Sequence, residues 1–138
     1  MAVTANQLLR MRNAGCRVAG PVSASKRLYQ ATLCFADASA GTITDVTNSG
    51  ANHFFGVVVE ECDNSSGSAG DKKVEVYQEG EFELVGSSLT QAMVGDKIYA
   101  SDNYTITTTS TNNTLIGRVT EYISATKLMV RIEPGVQA

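Results

Sequence analysis

His53-Phe54-Phe55-Gly56-Val57-Val58-Val59-Glu60 is the stretch whose reading decides the fold. The valines are stiff at χ1 and suit a pleated strand better than a helix. An exposed strand of a two-faced sheet would alternate apolar and polar residues, and this run does not alternate. A run this continuously apolar does not suit an exposed strand, so it is placed centrally. The glycine inside it marks a bulge or a close approach of a neighbouring backbone.

Working outward, the rest of the chain reads as strands and turns. Leu28–Phe35 alternates, and Thr42–Thr44 is a short pairing segment. Val74 and Val76 share one face of a strand with Glu75 and Tyr77 on the other. Glu79-Gly80 then turns the chain into a strand with Phe82 and Leu84 inward and Glu81 and Glu83 outward. Lys97–Ala100, Tyr104–Thr108, Thr114–Tyr122 and Leu128–Ile132 follow, separated by Asp-, Asn- and Gly-bearing turns. Eight or nine short antiparallel strands at this spacing predict an all-β barrel or sandwich. Phe54, Phe55, Val57, Val74, Val76, Phe82, Leu84, Ile98, Ile116, Val119, Val130 and Ile132 are expected to share one core.

The decisive stretch has an echo. Phe55-Gly56-Val57-Val58-Val59-Glu60 aligns with Ile116-Gly117-Arg118-Val119-Thr120-Glu121. Barrel geometry explains such a repeat better than two binding sites do, because a glycine at a bulge lets a small sheet bend toward closure.

Composition agrees with a β-rich chain. The 138 residues include fourteen Thr and fourteen Val against eight Leu, and only 18% are charged. No apolar run approaches the ~20 residues of a membrane-spanning helix, and Met1–Arg10 lacks the basic-then-apolar order of a signal peptide. Cys16, Cys34 and Cys62 form no C-x-x-C pair, and an odd count fits a reducing compartment.

Charge divides the chain in two. Residues 1–27 carry Arg10, Arg12, Arg17, Lys26 and Arg27 and no acid, whereas residues 28–138 carry all fourteen acids against six cations. This pattern predicts a basic N-terminal arm, 1–27, on an acidic β domain, 28–138. Within the arm, Thr4 and Gln7 read as a capping box opening a short helix that runs to Gly15. Leu8, Leu9 and Met11 supply apolar anchoring, while Arg10, Arg12, Arg17, Lys26 and Arg27 supply charge for an acidic protein surface. The arm is expected to reach away from the body and to become ordered on a partner.

Catalytic signatures are missing. There is no G-x-x-x-x-G-K-[ST], no G-x-G-x-x-G after a strand, and no G-x-S-x-G. His53 is the only histidine, and a zinc site would need unusual ligands. Glu60, Glu61 and Asp63 lack the ligand ladder of a strong Ca²⁺ loop and read as a solvated strand end. Glu79, Glu81 and Glu83 read as alternation on an exposed strand rather than a carboxylate pair. No aromatic is interleaved with the basic residues to stack on bases. The expectation is a non-enzyme with no cofactor, no metal, no nucleic acid and no membrane contact.

From Arg27 to Ile132 the chain resembles the small capsid cement, or decoration, proteins of tailed bacteriophages. The resemblance lies in an ordered series: Phe54-Phe55-Gly56-Val57-Val58, Asn64-Ser65-Ser66-Gly67, Gly70-Asp71-Lys72 before Val74-Glu75-Val76, Gly80-Glu81-Phe82, Val94-Gly95-Asp96-Lys97-Ile98-Tyr99, Ile116-Gly117-Arg118-Val119 and Leu128-Met129-Val130-Arg131-Ile132. It implies a compact barrel-like or jelly-roll-like domain. The function implied is that of a structural protein on the outer surface of the virion, made in the host bacterial cytoplasm. Its implied partners are the major capsid protein and other copies of itself, a trimer being favoured over a dimer. The alternative reading is a carbohydrate- or host-surface-binding β module of a phage appendage, which calls for exposed aromatics on one face.

Overall fold

The computed structural model describes residues 2–14 and 16–132, with the side chains of residues 12–14 outside that description. The strands among the described residues are β1 (Met11–Ala14), β2 (Arg17–Pro21), β3 (Lys26–Leu28), β4 (Leu33–Ala36), β5 (Ile43–Thr44), β6 (His53–Val58), β7 (Cys62–Asn64), β8 (Lys73–Tyr77), β9 (Gly80–Val85), β10 (Lys97–Ala100), β11 (Ile106–Thr107), β12 (Thr114–Ser124) and β13 (Lys127–Ile132). A single 3₁₀ turn, Gln91–Met93, precedes β10. The all-β expectation holds, and every strand pair is antiparallel. The strands outnumber the eight or nine expected because residues 11–28 contribute three of them and Cys62–Asn64 a further one.

Three sheets form three layers. A six-stranded sheet runs β1-β9-β13-β12-β10-β11, a five-stranded sheet runs β2-β8-β6-β4-β5, and β3 pairs with β7. The expected barrel is not closed. The six-stranded sheet curls until Thr105 meets Val85 in one parallel bridge, but no strand-long ladder joins its two ends.

The single expected core is two. Leu33, Phe35, Phe54 and Val57 of the five-stranded sheet meet Phe82, Ile98, Ile116, Val130 and Ile132 of the six-stranded sheet. On the opposite face of the five-stranded sheet, Cys34, Val58, Val74 and Val76 pack with Leu28 of β3 and Cys62 of β7. The middle sheet is therefore covered on both sides, which is why β6 is continuously apolar. β6 lies between β8 and β4, in the centre of its sheet, as its composition predicts.

Pairing along β6 explains its irregular pattern. Phe35 pairs with Phe54 and Cys34 with Gly56, so Phe55 is an extra residue facing no partner on β4. That bulge lets Phe54 and Val57, three positions apart, face the same core, while Phe55 and Val58 turn to the other. β12 repeats the device. Ile98 pairs with Gly117 and Tyr99 with Leu115, leaving Ile116 as the extra residue. The sequence echo is thus two bulges in matching positions, each followed by a glycine. A Cβ on Gly56 would lie 2.4 Å from the Tyr77 carbonyl oxygen, and one on Gly117 would lie 2.0 Å from that of Arg131. Only glycine allows those neighbouring backbones to come so close.

The expected helix over 4–15 is not formed, Gly15 itself lying outside the described residues. Thr4–Arg10 has no regular structure and Met11–Ala14 is a strand. The Gln7 N–H donates to the Gln30 carbonyl at 2.9 Å, and the Gln7 side chain donates to the Ala5 carbonyl, so neither half of a capping box is made. A ten-residue helix carries its nucleation cost alone. An extended edge strand along β9, with Leu9 packed on the main core, satisfies the same backbone without it.

Candidate functional site: the basic N-terminal segment

Residues 2–14 and 16–28 run along the body rather than away from it. Starting from residue 2, Val3 is held by Asn103, which lies in the turn after β10: Val3 N–H donates to Asn103 Oδ1 at 3.0 Å, and Asn103 Nδ2 donates to the Val3 carbonyl at 3.1 Å. Asn6 is the next clip. Its Oδ1 accepts from the Gln30 N–H at 2.8 Å, and its Nδ2 donates to Glu61 Oε1 at 2.8 Å. The Arg10 carbonyl accepts from the Glu83 N–H, after which β1 lies along β9 and β2 along β8. β3, Lys26–Leu28, spans the expected boundary at residue 27 and pairs with β7.

The cations of this segment meet acids of the same chain. Arg10 Nε lies 3.7 Å from Glu83 Oε1. Arg17 pairs with Glu75 and lies over the Tyr77 ring, 5.4 Å from its centroid. Lys26 Nζ is 3.1 Å from Asp45 Oδ1. Arg27 pairs with Glu61, lies 3.9 Å from Asp63 and covers the Tyr29 ring. The Arg12 side chain lies outside the described residues. The charge asymmetry of the sequence is therefore expressed as contact between the two parts of one chain.

The local electrostatics follow from these partners. Hydrogen bonds from Arg27 and then Asn6 hold the Glu61 carboxyl below its ordinary range, and the same contact raises Arg27. The Asp63 carboxyl is lowered mainly by the Ser65 hydroxyl and N–H. Burial raises the Cys34 and Cys62 thiols, and both side chains belong to the second core. Cys16 is exposed.

The apolar residues of the segment divide. Leu9 packs on the main core, whereas Leu8 is 70% exposed and Met11 is 39% exposed. Glu83, expected on an open strand face, has a side chain only 18% exposed, covered by Arg10 and by Lys127, whose Nζ is 3.4 Å away. Asn103 reads in the sequence as a turn residue after Asp102. Nothing there signals that its amide is buried and grips the N-terminal segment, because its partner lies a hundred residues earlier.

His53 stands exposed at the start of β6. Among the described residues no three His, Cys, Asp or Glu side chains are placed to hold a metal ion, and no helix is long and apolar enough to cross a membrane. Each of the five tyrosines is half-buried. No protein-family model matches the chain, and no curated protein matches it.

Proposed function

We propose that this protein is a capsid cement protein that binds the outer surface of a tailed-phage head and strengthens contacts between capsomers. The observation that carries the reading is a three-layer all-β body built from the ordered motif series between Arg27 and Ile132. Such a clip needs a stiff body and outward-facing strand edges. Here β1 is an edge strand of the six-stranded sheet, and that edge can take up a neighbour's backbone, whereas β5 is already met by Val22 in a parallel bridge and by the Ser23 N–H. Many copies with several attachments each multiply modest contacts. Exposed Leu8 and Met11, with the side of Arg10 left open to solvent, form the first surface to test for capsid or neighbour contact. Closed self-association is part of the proposal, with a trimer favoured over a dimer by analogy with the resembled proteins.

The appendage-module reading draws less support, since the half-buried tyrosines offer no exposed aromatic platform and the chain has no Trp. The test is to add purified protein to phage heads assembled without it. Saturable binding at a fixed copy number per capsomer, with a higher temperature of DNA release, is the expected result. Absence of binding at saturating protein, or binding to a glycan array instead, would overturn it.

A further inference from the structure

The outer face of the six-stranded sheet carries a row of like charges. Lys97 of β10 lies in register with Arg118 of β12, and Arg118 lies in register with Arg131 of β13. All three are exposed, while Ile98, Val119, Val130 and Ile132 beside them in the strands turn into the main core. Directly opposite residues hold their Cβ atoms about 4.5–5.5 Å apart, and like charges so placed destabilise a sheet. An ordinary solvated face mixes its signs, yet this row takes three of the six cations that residues 28–138 possess. Among the described residues, no carboxylate forms an ion pair with Lys97 or Arg118, and the Arg118 guanidinium donates only to the Gly95 carbonyl, at 3.4 Å. Arg10, Arg17, Lys26 and Arg27, by contrast, each meet an acid of their own chain. Lys97 and Arg118 are cations that folding leaves unmatched.

The borders of the row restrict its occupant. At β9 the row ends on an acid, Glu81, in register with Arg131. The next outward row along the strands is Glu121, Met129 and Glu83, which brings two more acids. Adjacent strands lie about 4.7–4.9 Å apart, so the three cations span about 10 Å. That length accepts two or three carboxylates. A long polyanion such as a nucleic-acid strand would run past the row onto acids, and the chain's net charge of −3 opposes it further.

From this we infer that the outer face of the six-stranded sheet docks a protein partner through a compact cluster of two or three Asp or Glu side chains. Arg118, in the middle of the row, is the central contact, because its guanidinium can take a carboxylate bidentately. Lys97 adds a second positive charge one strand away. Exposed contacts of this kind are individually weak, so they set orientation, specificity and salt sensitivity more than bulk affinity. The inference does not rest on the cement reading, because it concerns the chemistry that the face recognises and not the assembly that carries the partner.

The test uses the full chain, with the backbone amide signals of Lys97, Arg118 and Arg131 and the side-chain Nε–H signals of the two arginines followed by NMR. The probes are acetyl-Glu-Glu-Glu-amide, acetyl-Gln-Gln-Gln-amide and a short oligothymidylate, all at millimolar concentration and low salt. The Glu peptide is expected to shift these signals, and the Gln peptide to bind about threefold or more weakly. That difference should shrink at about 0.5 M salt. Arg118→Gln should cut the affinity for the Glu peptide about two- to fivefold. Its melting temperature at low salt should hold or rise, because both like-charge pairs are removed. Lys97→Gln should weaken the Glu peptide in the same direction, and it decides the matter if Arg118→Gln folds poorly. Equal binding of the two peptides, shifts confined to another surface, or undiminished affinity in the folded variants would overturn the inference. Tighter binding of the oligothymidylate than of the Glu peptide at these same signals would reassign the face to nucleic acid and overturn the protein-docking role.

Discussion

Asn103 and Val3, a hundred residues apart, are joined by a two-way grip in which the side-chain amide both accepts from and donates to the same residue's backbone. Asn103 is 1% exposed, so its amide has no water to fall back on. Asn103→Ala removes both bonds and leaves the Val3 peptide with none of its Asn103 partners. The expected cost is about 1–3 kcal/mol. Amide exchange at residues 3–10 should accelerate, and trypsin should cut after Arg10 earlier than in the parent protein. Unchanged exchange would show that the segment is held elsewhere.

Gly117→Ala places a methyl group 2.0 Å from the Arg131 carbonyl oxygen, and Gly56→Ala places one 2.4 Å from that of Tyr77. Neither backbone can yield without breaking its ladder, so each substitution is expected to destabilise by about 2–4 kcal/mol. Gly41→Ala is the informative contrast. Its added Cβ meets nothing, but its φ of +73° penalises a side chain, and the cost should be nearer 1 kcal/mol. Equal losses at all three positions in urea melts would remove close approach as the cause.

Glu61 supplies a pH dependence. Its folded-state pKa is lowered by Arg27 and Asn6, so the stabilisation is present above the unfolded value of about 4.3 and is lost as pH falls through the folded one. Asp63 and Asp37, both also lowered, act in the same direction. Melting temperature should therefore begin to drop as pH falls below about 5. Glu61→Gln should flatten that drop in part while lowering the melting temperature at pH 7. A variant with the full acid sensitivity of the parent would place the dependence on other carboxylates.

Deleting residues 2–20 removes β1, most of β2, the Leu9 contact with the main core and the Asn103 grip. The remaining body is expected to melt well below the intact protein, with Phe82, which β1 borders on β9, newly vulnerable. Phe82→Ala in the intact chain should itself cost about 3–5 kcal/mol. Full thermal stability of the deletion would show that the edge strands contribute nothing.

The legible parts of this fold are those decided by neighbours in sequence. The run around Val57 announces a centrally placed strand, and Val74, Val76, Phe82 and Leu84 alternate as they pack. The glycines at 56 and 117 mark close approaches. What stayed hidden depends on distant partners. Thr4–Gly15 satisfies the local signals of a helix, yet the edge of β9 and the carbonyl of Gln30 take its hydrogen bonds. The charge asymmetry correctly says that the basic segment touches acids. It cannot say that Glu61, Glu75, Glu83 and Asp45 of the same chain are those acids. The division into two cores was equally out of reach, because it rests on the β3–β7 pair, two three-residue strands far apart in the chain.

The strand order has a consequence for synthesis. β1 needs β9 and β2 needs β8, so these two strands leave the ribosome some way ahead of their partners and wait longer for them than the later strands do. At about 5–20 residues per second, the segment with Leu8, Leu9 and Met11 waits several seconds in the open. Its cations and its lack of acids make like segments on neighbouring nascent chains repel one another during that interval. The same arginines that later close onto the acidic body act first as gatekeepers, and replacing them with neutral residues would be felt in the yield of soluble protein before it was felt in the melting curve.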